Sequence, residues 1–203
     1  MARILTVAVL FSGKGTNLEN LIRIFHDRTF GERRVKIVPV TNRPDAGGVA
    51  AAKELGLDTI VIDHKKFDSR ESFDSALVER LKAVSPDLVV MAGFMRIVTE
   101  IFTSQIEAIN LHPSLLPLFK GANAIEESFR SGMRVGGVTV HRVDSTLDGG
   151  EIIEQECVKI EEGDTLESFR KRVQTAEHKI LPMVVAKLLS LPYPKQSAGG
   201  SIL

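Results

Sequence analysis

Three short stretches of this chain carry polar side chains that packing alone does not require. In Asn110-Leu111-His112-Pro113-Ser114-Leu115-Leu116-Pro117 an amide and an imidazole stand two residues apart. On a β-strand that spacing turns both side chains to one face, and Pro113 ends the strand just beyond them. Both groups can donate to a developing oxyanion, and the imidazole can also move a proton. Strand ends of this kind are where open α/β sheets place their active sites. A histidine by itself more often serves structure; its pairing with Asn110 between two prolines favours function.

Asp144-Ser145-Thr146-Leu147-Asp148-Gly149-Gly150 supplies a carboxylate that such a pair could use. Taken alone it is an ordinary Asp-Gly turn between two strands. Beside His112, an ionised Asp148 would favour the imidazolium form and could help pass a proton, directly or through water. The third stretch, Ser12-Gly13-Lys14-Gly15-Thr16-Asn17, falls between an apolar β-branched run and a helical pattern. Its glycines let backbone approach an anion, and the free N–H groups of a helix start bind phosphate. It lacks the GxxxxGK[ST] of a Walker A loop, and Leu18 stands where GxGxxG has its third glycine. The next strand ends in Thr41-Asn42 rather than in an acid that could hold a ribose. One phosphate group therefore fits better than a dinucleotide. The bland alternative is a tight turn in which Thr16 or Asn17 caps the helix.

Other chemistries find no residues. There is no GxSxG elbow and no HExxH, and His26, His64, His112, His141 and His178 show no metal-ligand spacing with acids. No metal is expected. Cys157 lies in a strand-like alternation and reads as a packed small residue rather than a nucleophile. Asp63-His64 reads as a solvent-facing pair in a loop.

The elements that must position these groups follow from periodicity. Ile4 to Phe11, Val35 to Val40, Thr59 to Ile62 and Leu88 to Ala92 read as strands. Between them, Asn17 to His26, Gly47 to Leu55 and Ser72 to Val84 read as helices, the first with Leu18, Leu21, Ile22 and Phe25 on one face. This alternation predicts βαβ units and a Rossmann-like, mostly parallel α/β sheet with helices on both faces. From Ala108 the rhythm changes. Strands at Ile109 to His112, Val135 to Val143 and Glu151 to Ile160 and a short helix at Asn123 to Phe129 predict an antiparallel addition in the C-terminal half. A long helix follows from Leu166 to Ile180, broken or kinked at Pro182 and resuming to Leu189.

With 203 residues, 43% of them hydrophobic, the chain can bury one core, and residues 1–190 read as a single domain followed by a flexible tail over 191–203. Twenty-six Lys and Arg balance 26 Asp and Glu, so no global field draws the chain to nucleic acid or an anionic membrane. One cysteine excludes an internal disulfide. The apolar run after Arg3 enters Ser12-Gly13 without a cleavage pattern, and a cytoplasmic protein is expected.

The glycine loop, Ala92-Gly93-Phe94-Met95-Arg96-Ile97, the Asn110 to Pro117 block, Leu147-Asp148-Gly149-Gly150 and Val173-Gln174-Thr175-Ala176-Glu177-His178 together resemble the folate-dependent formyltransferase family over about residues 4 to 190. The Asn-x-His-Pro-Ser and Leu-Asp-Gly-Gly blocks are common to its users of 10-formyltetrahydrofolate, and the glycine loop and the Val-Gln-Thr-x-Glu-His block resemble its glycinamide ribonucleotide branch. The resemblance implies transfer of a formyl group from 10-formyltetrahydrofolate to the amine of 5'-phosphoribosylglycinamide in purine (IMP) biosynthesis. It also implies a monomer or homodimer.

Carried over residue by residue, the resemblance makes Asn110, His112 and Asp148 catalytic. It gives the ribonucleotide to Gly15, Thr16, Asn17, Gln174 and Glu177. It gives the folate to Arg70, Met95, Arg96, Ile97 and Val98, with Asn110, Asp144 and Asp148. Two departures stand out: Leu118-Phe119-Lys120 replaces a common aromatic-Pro-Gly, and Asn123 stands where histidine is frequent, so position 123 receives no role. The alternatives are a formyltetrahydrofolate deformylase or the transferase acting on methionyl-tRNA, whose extra N-terminal segment or C-terminal barrel finds no room here. A non-catalytic phosphate- or nucleotide-binding module would use the glycine loop but leave Asn110, His112 and Asp148 idle.

Overall fold

The computed structural model describes residues 2–192. Along the chain run β1 (Arg3–Phe11), α1 (Thr16–Phe25), β2 (Thr29–Phe30), β3 (Arg33–Thr41), α2 (Gly47–Glu54), β4 (Ile60–Val61), a 3-10 turn (His64–Lys66), α3 (Arg70–Val84) and β5 (Leu88–Ala92). Then come α4 (Glu100–Thr103), β6 (Ala108–His112), α5 (Ala124–Arg130), β7 (Val135–Arg142), β8 (Ile152–Lys159) and α6 (Leu166–Leu188). They build one eight-stranded sheet in the order β2-β3-β1-β5-β6-β7-β8, with β4 also on β3. β3, β1, β5 and β6 are parallel to one another, as is β4 to β3. β7 and β8 add on antiparallel, as does β2 at the other edge. The sheet is thus mostly parallel with antiparallel additions.

β1 lies at its centre because both its faces are apolar. Leu5, Val7, Val9 and Phe11 alternate onto a core shared with α1 and α6, while Ala8 and Leu10 face a second core shared with α3 and α4. The predicted stripe of α1 is buried in the first core. From β1 the chain crosses to β3 on one side and later to β5 on the other. The C-terminal ends of β1 and β5 therefore flank a topological switch point, the crevice where such sheets bind ligands. A backbone bond from Ser12 N–H to Gly93 O, 3.0 Å, ties the two strand exits together.

Several expectations are corrected. α6 is unbroken through Pro182. Proline has no N–H for the carbonyl four residues back, at His178, and the Asn20 Nδ2 amide of α1 donates to that carbonyl at 2.8 Å instead. α3 begins two residues before Ser72, because Ser69 caps it with a hydrogen bond from the Ser72 N–H. β2, α4 and the 3-10 turn are too short to show a period. Cys157 is exposed: Val158 and Ile160 take the core-facing positions, and the residue between Glu156 and Val158 points out. His64 is half-buried rather than solvent-facing, its Nδ1 held 2.8 Å from Asn42 O. The mobile-tail expectation falls, from residue 193 onward, outside the described residues. Among the described residues no helix is long and apolar enough to cross a membrane.

Candidate active site

A cavity of about 950 Å³ opens at the C-terminal ends of β1, β5 and β6, and residues of all three polar stretches line it. At one end the chain leaves β1 and turns into α1 through Gly15, whose φ of 74° is left-handed. A Cβ there would sit 2.7 Å from the Cα of Gly48 in α2, so close packing of two helices, together with the backbone conformation, demands glycine. No side chain caps α1. Thr16 and Asn17 lie inside its first turn, and their side chains reach across to α6: Gln174 Nε2 donates to Thr16 Oγ1 at 3.0 Å, and Asn17 Nδ2 donates to Glu177 Oε2 at 3.0 Å. Gln174 and Glu177, three residues apart on one face of α6, thus meet a bare helix N-terminus, and Lys14, Arg170 and Lys171 line the cavity as well. Burial pushes the Glu177 carboxyl above the usual range, more than the Asn17 bond lowers it. Asn17 Oδ1 is buried without a partner.

At the other end, β6 and the turn after β7 bring Asn110, His112 and Asp148 together. Asp148 has φ 46°, a conformation that non-glycine residues seldom adopt and that clusters at functional sites. Its Oδ2 accepts the Gly121 N–H at 2.8 Å and lies 3.5 Å from His112 Nδ1, while its Oδ1 lies 3.5 Å from Asn110 Nδ2. His112 Nε2 bonds the Phe119 carbonyl at 2.8 Å, which fixes a hydrogen on that nitrogen. Phe119 is also left-handed, φ 54°. The segment Leu118-Phe119-Lys120 therefore meets His112 through the Phe119 backbone, while the Lys120 charge helps hold the Asp144 carboxyl down.

His141 joins this group, and sequence reading passed over it. The antiparallel register sets it opposite Asn110, and Asn110 Nδ2 donates to its Nε2 at 3.1 Å. Its Nδ1 donates to Arg142 O at 2.8 Å. Burial lowers its pKa, so the neutral ring keeps a lone pair on Nε2 to orient the Asn110 amide. The signal was the Val135–Val143 strand pattern, which has meaning only once its pairing with β6 is known.

Between the two ends, Met95, Ile97 and Val98, with Arg96 among them, form a mostly apolar wall, Met95 69% and Ile97 50% exposed. Asp144 lines the cavity as well; hydrogen bonds from the Thr146 hydroxyl and N–H hold its carboxyl below the usual range. Arg70 opens α3 and is absent from the lining. Asn123 lines the cavity but its side chain makes no cap on α5.

Comparison with known proteins extends the picture. Residues 5–185 match the model of the formyl transferase family. The phosphoribosylglycinamide formyltransferase of Bacillus subtilis (strain 168) is 33% identical over 186 residues, 91% of this chain and 94% of that protein. The trifunctional purine biosynthetic protein adenosine-3 of Gallus gallus is 44% identical over 187 residues, and the chain spans 18% of its length. Among solved structures, phosphoribosylglycinamide formyltransferase from Campylobacter jejuni subsp. jejuni NCTC 11168 superposes with a TM-score of 0.89 at 47% identity, covering 93% of this chain and all of that one.

Proposed function

The chain belongs to the formyl transferase family, and we propose that it transfers a formyl group from 10-formyltetrahydrofolate to the amine of 5'-phosphoribosylglycinamide in purine biosynthesis. The names of its relatives support the reaction. The supporting observation in the molecule itself is the pair of long contacts around Asp148. The carboxylate faces an N–H of Asn110 and the Nδ1 edge of His112, each at 3.5 Å, while its short bond goes to Gly121. Asn110 spends one N–H on His141 and His112 its Nε2–H on Phe119, while the second Asn110 N–H and the His112 Nδ1 edge are held only loosely by the carboxylate.

The chemistry uses that arrangement. Attack of the amine nitrogen on the formyl carbon turns the carbonyl oxygen into an oxyanion and leaves a proton on the nitrogen. The Asn110 amide and a His112 N–H stabilise that oxygen, each well-aimed donor contributing on the order of 3 kcal/mol. Asp148, 3.5 Å from His112 Nδ1, accepts the amine proton, directly or through water. The tetrahedral intermediate then collapses by breaking the bond from carbon to the folate nitrogen, which takes up the proton that Asp148 received from the amine. The helix N-terminus at Gly15 to Asn17 holds the ribonucleotide phosphate, Gln174 and Glu177 bind the rest of that substrate, and Met95 to Val98 with Asp144 bind the folate. Arg70, at the start of α3, stands outside the cavity lining and takes no part in this arrangement.

The test is direct: purified protein is incubated with β-glycinamide ribonucleotide and 10-formyltetrahydrofolate, and N-formyl product and free tetrahydrofolate are measured. Product in equal amounts with tetrahydrofolate is expected. Release of formate without formylated ribonucleotide would identify a deformylase instead.

A further inference from the structure

The chain between β5 and α4 has no helix or strand, yet buried side chains from elsewhere hold both ends of its cavity-facing part. At the entrance the Met95 N–H donates to Ser12 Oγ at 2.8 Å. That hydroxyl gives its own proton to Asn42 Oδ1 at 2.6 Å, so its lone pairs are left to face Met95. Ser12 and Asn42 are each 2% exposed. At the exit the Thr99 N–H donates to Asp74 Oδ2 at 2.6 Å, and Asp74, on α3, is 1% exposed. Between the anchors the Arg96 guanidinium lies 4.8 Å from the Phe73 ring centroid, and Phe73 stacks on Phe94. Neither Ser12 nor Asp74 lines the cavity.

Burying a carboxylate to accept a loop N–H is a costly way to fill space in an apolar core, where a leucine would serve packing better. A hydroxyl polarised by a buried amide is equally unneeded for packing. What both achieve is a fixed backbone path across four residues. We propose that Ser12 and Asp74 are positioning residues for the folate: they clamp Met95–Val98 from its two ends, so that the wall is already formed when the co-substrate arrives. The inference rests on the reading of that wall as the folate side of the cavity.

The test measures steady-state KM for 10-formyltetrahydrofolate and for β-glycinamide ribonucleotide in Ser12→Ala, Asp74→Ala and Asp74→Asn. Val35→Ala, in the other core, serves as a control for general loss of stability. Removing either acceptor should raise the folate KM about tenfold, the weight of one hydrogen bond of this kind, while the ribonucleotide KM stays within about twofold. Asp74→Asn keeps a carbonyl oxygen for Thr99 and should recover most of the loss. Backbone hydrogen exchange at Met95 and Thr99 should quicken in the Ala variants and stay slow in Val35→Ala. If both KM values move together, or neither moves while the variants remain folded, the clamp is structural only and the proposal fails. A wild-type protein that formylates the ribonucleotide but whose exchange at 95–99 is untouched by the folate would instead overturn the placement of the co-substrate.

Discussion

Asp148 and Asp164 are both nearly buried carboxylates, their side chains 10% and 7% exposed, and they are held in opposite ways. Asp164 is saturated. It accepts the Glu161 N–H at 2.6 Å, the Ser168 hydroxyl at 2.8 Å and Arg172 Nη1 at 2.9 Å, with Arg172 Nη2 closer still. A permanent guanidinium beside it holds the carboxyl far below the usual range, and the result is a fixed corner joining β8 to α6. Asp148 has one short bond, to Gly121, and otherwise faces a neutral amide and two imidazoles at 3.5 to 3.8 Å. A structural carboxylate is tied with every bond it can make; the one proposed to work is held by a single short bond, on a backbone in a left-handed turn.

The contrast is open to attack, beginning with the largest effect. His112→Ala and Asp148→Asn should each lower kcat by about 10²- to 10⁴-fold while the ribonucleotide KM changes little, because they act on charge that develops only in the transition state. The double variant should lose scarcely more than either alone. If melting temperature falls and kcat does not, Asp148 belongs with Asp164. Asp164→Asn should do the reverse, lowering the melting temperature by a few degrees and leaving kcat intact. Since folding depresses this carboxyl, its contribution is fully present above the unfolded value near pH 4 and disappears as pH falls toward the folded one. The melting-temperature gap between wild type and variant should therefore narrow below about pH 4. A gap that keeps its full size down to pH 2 would assign the effect to packing.

Glu177 gives the smallest effect and sharpens the comparison. Its carboxyl is raised by folding, so the ionised group destabilises the free protein once pH climbs past the unfolded value near 4.5. Glu177→Gln should melt slightly higher at pH 7, with the difference vanishing in acid, and should raise the ribonucleotide KM about tenfold. A variant that melts lower at pH 7 would make Glu177 a structural partner of Asn17 rather than a group awaiting substrate.

Much of this was legible beforehand because it is local. The alternation of Leu5, Val7 and Val9 against Ala8 and Leu10, and the stripe of Leu18, Leu21, Ile22 and Phe25, each follow from a period along one segment. Asn110 and His112 shared a face for the same reason. What escaped depends on neighbours distant in sequence. His141 matters only through the antiparallel register that sets it opposite Asn110. Ser12 and Asp74 matter because a loop some 80 and 25 residues away donates to them. Cys157 was misjudged because alternation gives two faces without saying which is outward.

Pro182 has one more consequence, for the alignment of two helices. By withholding an N–H it leaves the His178 carbonyl as a socket that only a neighbour can fill, and Asn20 is the plug. A slip of α6 by one residue would turn its side chains by about 100° and carry Gln174 and Glu177 away from Thr16 and Asn17. Those two contacts lie in the cavity lining, where the proposed ribonucleotide would compete for them, whereas the bond between Asn20 and His178 lies outside it. The proline, a poor helix residue, thereby works as a registration mark: replacing it with a better helix former would return an N–H to His178, unseat Asn20, and let a more regular helix lose its phase against the substrate.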